Sequence, residues 1–271
     1  MKHKAAPKAS NSLKTFYLYV GLVIFAITIS LVIKLFIIFL QSKFDGNHHF
    51  TLVITKQQKV TEIVAFSPQI PALEVLHIND QNIAYSSLGS EYGISPDAQL
   101  ELGNSVDLNK DVGVTLWSAI THYPAIKTDT TLIDLLRLTY LSKGIVSSNV
   151  VIRDIALKEN NSDNNTLIAR ALNDPTLSSE NVSIQIINAS DISGIGQRLG
   201  RVLTNMGANV VEVSTSHDIQ AKSQISYFGD KSYTLDEIKA MTGYPVNVLT
   251  RQAIANIVII LGEDSGKTTR F

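Results

Sequence analysis

Three glycines, Gly194, Gly196 and Gly200, crowd the start of a helix-like run that follows the strand-like segment VSIQII at 182–187. A glycine-rich turn between a strand and a helix can cradle a nucleotide pyrophosphate, because the backbone approaches closely and the helix N-terminus offers free N–H groups. The spacing argues against that chemistry here. The pattern is G-x-G-x-x-x-G, and the six residues NASDIS separate Ile187 from Gly194. The acid that would hold a ribose is due about 20 residues on, and Glu212 stands in mid-strand and is followed by Val213. The turn therefore predicts a structural use. Asn188, Ser190, Asp191 and Ser193 shape and cap it, while Gly194 and Gly196 let backbones approach. A second phosphate-like run, LGEDSGKT at 261–268, is one residue short of a Walker loop. No helix follows it in the sequence to supply the dipole, so it is read as a strand end and a tail.

The remaining polar candidates are weaker. His48 and His49 are read as a solvated turn, with no acids at metal-ligand spacing. Asp80, Glu91, Asp97, Glu101 and Asp107 read as solvated loop acids. Arg198 and Arg201 stand off an apolar stripe and are the candidate contacts for an anionic ligand. No catalytic, cofactor-binding or metal-ligating residue is expected, and no cofactor.

These residues need elements to hold them. The stripe Ile195, Leu199, Val202, Leu203 and Met206 has a 3.6-residue period and predicts a helix from Gly194 to Met206 that stops at Gly207. Strands are expected at 182–187, 209–215, 223–228 and 255–261. A further helix runs over TLDEIKAM, with Thr234 and Glu237 as a capping box. The order β-α-β-β-α-β predicts a two-layer sandwich. Before it, 159–181 has a linker composition of Asn, Ser, Asp and Pro175, with a short helix or extended contact at Leu167–Leu172. Residues 180–271 are thus expected to fold alone. Earlier still, strands are expected at 50–55, 60–66, 73–78 and 148–157, with a possible fourth at 81–87. One helix, 110–122, is expected to bury Val114, Trp117 and Ile120 or Thr121. Another, 130–142, carries Leu132, Leu135, Leu136 and Leu138 on its apolar face.

Composition narrows the function classes. Lys plus Arg is 23 and Asp plus Glu is 24, for a net charge of −1, which argues against nucleic-acid binding. The chain has no cysteine, so zinc ribbons, Fe–S clusters and thiol nucleophiles are excluded. Residues 16–40 read FYLYVGLVIFAITISLVIKLFIIFL with Lys34 as the sole charge, long enough to cross a bilayer. The apolar run is too long for a cleaved signal peptide. Lys2, Lys4, Lys8 and Lys14 precede it without an acid, so a cytoplasmic tail at 1–15 and extracytoplasmic residues beyond 40 are expected.

The motifs VSIQIINAS, GIGQRL, MGANV and VIILGED together resemble the LytR C-terminal domain of LytR–CpsA–Psr cell-envelope proteins. The resemblance covers 182–264 and falls on Asn188, Ala189, Gly194, Leu261, Gly262 and Asp264, with Gly196 and Gly207 in the same set. Ala189 and Ser190 depart from the family's usual glycine or threonine. The resemblance implies a mixed α/β fold with one N-terminal membrane helix and two exported domains. The strands of 44–158 resemble the opening of the LytR–CpsA–Psr catalytic domain, which moves glycopolymers from a polyprenyl diphosphate to peptidoglycan with arginines and acids around a metal-bound diphosphate. The arginine-bearing turn is due at His77–Asn82 and reads HINDQN; Arg137 and Arg153 are the domain's two arginines. The resemblance therefore implies a degenerate first domain, a short tail at 265–271, and an extracytoplasmic envelope protein that binds an envelope polymer or protein. A divergent phosphotransferase is the alternative.

Overall fold

The computed structural model describes residues 10–79, 82–103, 106, 108, 111–157, 162–251, 253–267 and 270–271. Two compact units emerge, Met1–Ser42 and Lys43–Phe271. The first is one helix, α1 (Ser10–Leu40). Its segment Lys14–Leu40 has a mean hydropathy of 2.9 over its most apolar window and is long and apolar enough to cross a membrane. Thr28 turns its hydroxyl back onto the Ile24 carbonyl at 2.9 Å, so this side chain brings no unmet donor into an apolar surrounding.

The second unit holds two sheets. The first sheet has the order β5-β4-β1-β2-β3-β6. Its strands are β1 (Phe50–Lys56), β2 (Lys59–Ser67) and β3 (Ala72–Ile78), a meander of antiparallel pairs. Past the short helix α2 (Leu88–Tyr92), β4 (Ala98–Leu102) runs parallel to β1. The helix α3 (Val112–Thr121), the two-residue β5 (Lys127–Thr128), α4 (Leu132–Gly144) and β6 (Val150–Ile155) complete the domain. The strand FTLVITK is buried from Phe50 to Thr55 because both of its faces are covered. Leu52 and Ile54 point to the core under α3 and α4, whereas Val53 points to a second core on the opposite face.

That opposite face is closed by α2 and by α5 (Ser162–Leu172), whose Ile168, Ala171 and Leu172 are buried in it. α5 contains the short helix expected at Leu167–Leu172, and with α6 (Pro175–Glu180) it fills most of the described part of 159–181, which reads as a linker in composition. The polar residues that read as a spacer are helix punctuation. Asp174 caps α6 by accepting from the Thr176 N–H at 2.7 Å, and Asn181 ends it in the left-handed region at φ 48°.

The second sheet has the order β10-β9-β11-β7-β8. It comprises β7 (Ser183–Asn188), α7 (Ile195–Asn205), β8 (Asn209–Thr215), β9 (Gln224–Tyr227), α8 (Tyr233–Thr242), β10 (Val246–Val248) and β11 (Ile257–Leu261). The expected sandwich is there with one strand more. β10 is three residues long, beyond what an alternation pattern can reveal. Ile195, Leu199 and Val202 of α7 share one core with Leu235 and Ile238 of α8, so both helices cover the same sheet face.

Several expectations shift. Residues 81–87 are no strand where described: Ala84 makes a single bridge to Lys59 and a 3₁₀ turn follows at Tyr85–Ser87. Ser232, not Thr234, caps α8, because the helix begins at Tyr233. The buried faces of α3 and α4 agree with the expected ones only in part. Val114 and Trp117 are 46% and 51% exposed, and Leu132 and Leu136 are 36% and 44% exposed. Val112, Leu116 and Ala119 of α3 face the core, with Leu135 and Leu138 of α4. Each helix is apolar on both sides, and the pattern alone does not choose between them.

Candidate functional site

The glycine turn is built for packing. Gly194 opens α7 in the left-handed region at φ 74°, with no side-chain cap. A Cβ at Gly196 or Gly200 would lie 3.2 Å from a Val213 methyl, so both glycines let α7 lie close on β8. Asn188 organises the turn: its Oδ1 accepts from the Ser190 N–H at 3.1 Å, and its Nδ2 donates to the Ile192 carbonyl at 3.0 Å. Ser193 does not cap the helix; the glycine conformation at 194 brings the chain in instead. Gly207, at φ 93°, ends α7 and lies under α6, where a Cβ would come within 2.5 Å of Ser178 Oγ.

Gly262 and Asp264 close the other end of the domain. Asp264 Oδ1 accepts from the Ser223 N–H at 2.8 Å and from its hydroxyl at 2.6 Å. The same Ser223 Oγ accepts from the Gly262 N–H at 2.9 Å. A Cβ at Gly262 would lie 2.7 Å from the Gln220 carbonyl oxygen. The residues that read as a truncated phosphate loop thus pin the 220–223 segment to β11. The tail at 263–267 is a 3₁₀ turn, and Phe271 is buried in the second core.

Arg198 and Arg201 are half-buried, where the sequence predicted an exposed flank. Arg201 donates to the Ser90 carbonyl at 2.6 Å, and Asn205, one turn on, donates to the Gly93 carbonyl at 2.9 Å. Both target carbonyls sit at the end of α2. These residues staple the second domain to the first. Arg198 has a buried Nε without a hydrogen-bond partner and does not join them.

The arginines of the first domain do not converge. Arg137 on α4 donates to the Phe44 carbonyl at 2.6 Å, while its neighbour Asp134 accepts from the Phe44 N–H at 2.9 Å. Arg153 on β6 is paired with Glu74 at 2.8 Å. Arg153 stands in register with Leu76, which faces the α2 and α5 core, whereas α4 covers the other face. The two guanidinium groups therefore lie on opposite sides of the sheet. In the HINDQN segment, His77 pairs with the buried Glu62 at 2.8 Å, and Asn82 accepts from Lys59 at 3.3 Å; Asp80 and Gln81 lie outside the described residues, as does Asp107. Among the described residues no group of His, Asp and Glu is placed to hold a metal. This residue set does not fit a metal-bound diphosphate.

The structure instead gathers charge in a cleft of about 330 Å³ between the two domains. From the first domain come Lys43, His48, His49 and Asp97; from the second come Tyr233, Glu237 and Arg270. His49 and Asp97 are half-buried here and not in the solvated loops expected of them, whereas His48 keeps its exposed turn beside the cleft. His48 is paired with Asp45 and stacks on Tyr233, with ring centroids 4.4 Å apart. Tyr233 donates to Asp174 at 2.8 Å. Asp97 accepts from the Thr51 N–H at 2.6 Å. Burial, reinforced by Glu237, pushes the Asp97 carboxyl up to about 7. Burial, with Asp174 nearby, also raises Glu237. Burial lowers His49 against the pull of Asp174. This cleft is illegible in the sequence, because its members lie up to 227 residues apart, from Lys43 to Arg270.

Residues 181–264 match the family model described as LytR cell envelope-related transcriptional attenuator. The second domain is similar to LytR C-terminal domains. The boundaries agree with the motif positions Asn188 to Asp264, all of which serve the turn and the strand ends described above. No curated protein matches the chain significantly. Among solved structures, the transcriptional regulator yvhJ from Bacillus subtilis aligns at 11% identity, covering 44% of this chain and 92% of its own, with a TM-score of 0.32. A score of that size does not establish a shared fold.

Proposed function

We propose that this chain is an extracytoplasmic cell-envelope protein, held by α1 in the membrane, whose LytR C-terminal-like domain binds an envelope polymer or protein. The first domain is a non-catalytic platform. The observation that carries the second point is the use of Arg137 and Arg153: one holds a backbone carbonyl, the other an acid, on opposite sides of the sheet. A diphosphate-transferring site depends on cations converging on the phosphates, which stabilise the developing charge. The family match at 181–264 supports the envelope setting, and the lysines before α1 support a cytoplasmic N-terminus.

Purified protein, given Mg²⁺ and a polyprenyl-diphosphate-linked sugar, should release no phosphate product and should hold the lipid no better than a control protein. A reporter fused after Phe271 should be active only outside the cytoplasm. Turnover lost in Arg137→Ala or Arg153→Ala would replace this reading with a divergent phosphotransferase. Cytoplasmic reporter activity would overturn the orientation.

A further inference from the structure

The layer formed by α3 and α4 has an outward face that solvent does not suit. α3 reads VGVTLWSAIT and has no charged residue. Its Val114 and Trp117 point away from the core. On α4, Leu132, Leu136, Tyr140 and Lys143 follow at offsets 0, 4, 8 and 11, one side of a helix. Tyr140 is 84% exposed. Lys143 holds its ammonium 5.5 Å from the centre of the Trp117 ring, which joins the two helices into one surface. An exposed helix face normally carries charged residues, and a contiguous apolar patch on a protein surface marks an interaction site.

Charge and covalent geometry indicate the partner. The charge α4 offers outwards is the cation Lys143; Arg137 is half-buried on the Phe44 carbonyl, and the acid Asp134 is fully buried against Phe44. A groove of about 730 Å³ runs beside them, walled by Phe44, Pro71, Tyr140, Leu141 and Ile145. Phe44 is fixed to α4 at both its N–H and its carbonyl. It follows Leu40, the last residue of the apolar helix, by four positions, a reach of at most about 14 Å of chain. Tryptophan and tyrosine favour the headgroup level of a bilayer, and lysine beside them favours anionic lipid.

We propose that the outer face of α3 and α4 seats on the anionic phospholipid headgroups of the membrane that holds the chain, with Trp117 and Tyr140 at the headgroup level and Lys143 against lipid phosphate. The inference rests on the membrane-anchored reading above. It gives the first domain a role in place of catalysis, which is to lie on the lipid surface.

Trp117 is the single tryptophan of the chain, so its fluorescence reports on this face alone. The full chain is reconstituted in phosphatidylcholine vesicles with and without phosphatidylglycerol, and flotation is measured separately. With phosphatidylglycerol, quenching of Trp117 by neutral acrylamide should fall about fivefold relative to detergent, as expected for interfacial burial strengthened by cations. Brominated lipid should quench it. Lys143→Glu and Tyr140→Ser, both at exposed positions, should restore acrylamide access while the protein still floats and melts as before. A chain that floats but whose Trp117 is as open to acrylamide as in detergent overturns the proposal. So does shielding without brominated-lipid quenching, which means a protein surface covers the face. A chain that does not float overturns the anchored reading itself.

Discussion

Replacing Asp97 by asparagine should stabilise the protein at alkaline pH. Asp97 stands in the cleft between the domains, and burial, then the nearby Glu237, lift its carboxyl from 3.8 to about 7. A carboxyl raised in the fold favours the protonated form. Its penalty is absent below the unfolded value near 4, grows as pH rises, and is complete above 7. At about 1.36 kcal/mol for each pH unit of the lift, charged Asp97 costs the fold about 4 kcal/mol at pH 8. That figure is an upper limit, because the side chain lines an open cleft and water offsets part of the desolvation. Asparagine keeps an oxygen to accept the Thr51 N–H, now at 2.6 Å from Asp97 Oδ2. His49, lowered by burial, acts in the opposite sense: its contribution is present above 6.5 and fades as pH falls. The difference between wild type and Asp97→Asn removes that background. Urea unfolding at pH 4 to 8 should give a difference near zero at pH 4 that rises to between about 1 and 4 kcal/mol in favour of the variant by pH 8. A flat difference, or a variant less stable at pH 8, would refute the electrostatic account of the cleft.

Two further substitutions test how the second unit is held together. Arg201→Ala, and Asn205→Ala separately, should each lower stability by about 1–3 kcal/mol by orphaning the Ser90 or Gly93 carbonyl; hydrogen exchange at α2 should quicken in both, and unchanged exchange there would deny the staple. Gly262→Ala should cost about 1–3 kcal/mol, because its Cβ would press on the backbone of 220–222, which has no side-chain freedom to yield; thermal melting of an alanine variant at the wild-type temperature would show that the segment moves aside.

The second domain was legible because its chemistry is local. A 3.6-residue stripe, a glycine stop at Gly207 and an asparagine turn at Asn188 each act within a few residues, so the sequence carries them in full. The cap of α8 was misplaced by two residues, because Thr234 stands where a cap would read well yet spends its hydroxyl on Glu180 at 2.6 Å. The segment 159–181 reads as a linker for the same reason its helices work. Asn, Ser and Asp are both loop formers and helix caps, and burial of Ile168 and Leu172 decides between the two. The cleft was illegible because proximity of His49, Asp97 and Glu237 arises from tertiary packing alone. The inward face expected of α3 and α4 holds for Ile120, Leu135 and Leu138 but not for Val114, Trp117, Leu132 and Leu136. That error has physical content: the ambiguity exists only because both faces are apolar, and a helix of this kind needs cover on both sides.

Arg137 carries the proposal that the first domain is a platform and not a transferase. The guanidinium already serves the Phe44 carbonyl, a charge-assisted bond worth about 1.5–3 kcal/mol. Phe44 in turn is 2% exposed in the core under α3 and α4, and full burial of a phenylalanine side chain contributes about 1.5–3 kcal/mol. Turning Arg137 toward a diphosphate would surrender the bond and loosen the residue it holds. Asp134 would then grip Phe44 alone, through its N–H. Lipid phosphate would have to repay that loss before it gained any net affinity. Arg153 would face the same exchange with Glu74, from the far side of the sheet. Two arginines tied to separate structural duties cannot meet on one ligand without taking the sheet apart. The two arginines thus fix the segment that follows α1 and the edge strand β6, as the proposed platform requires.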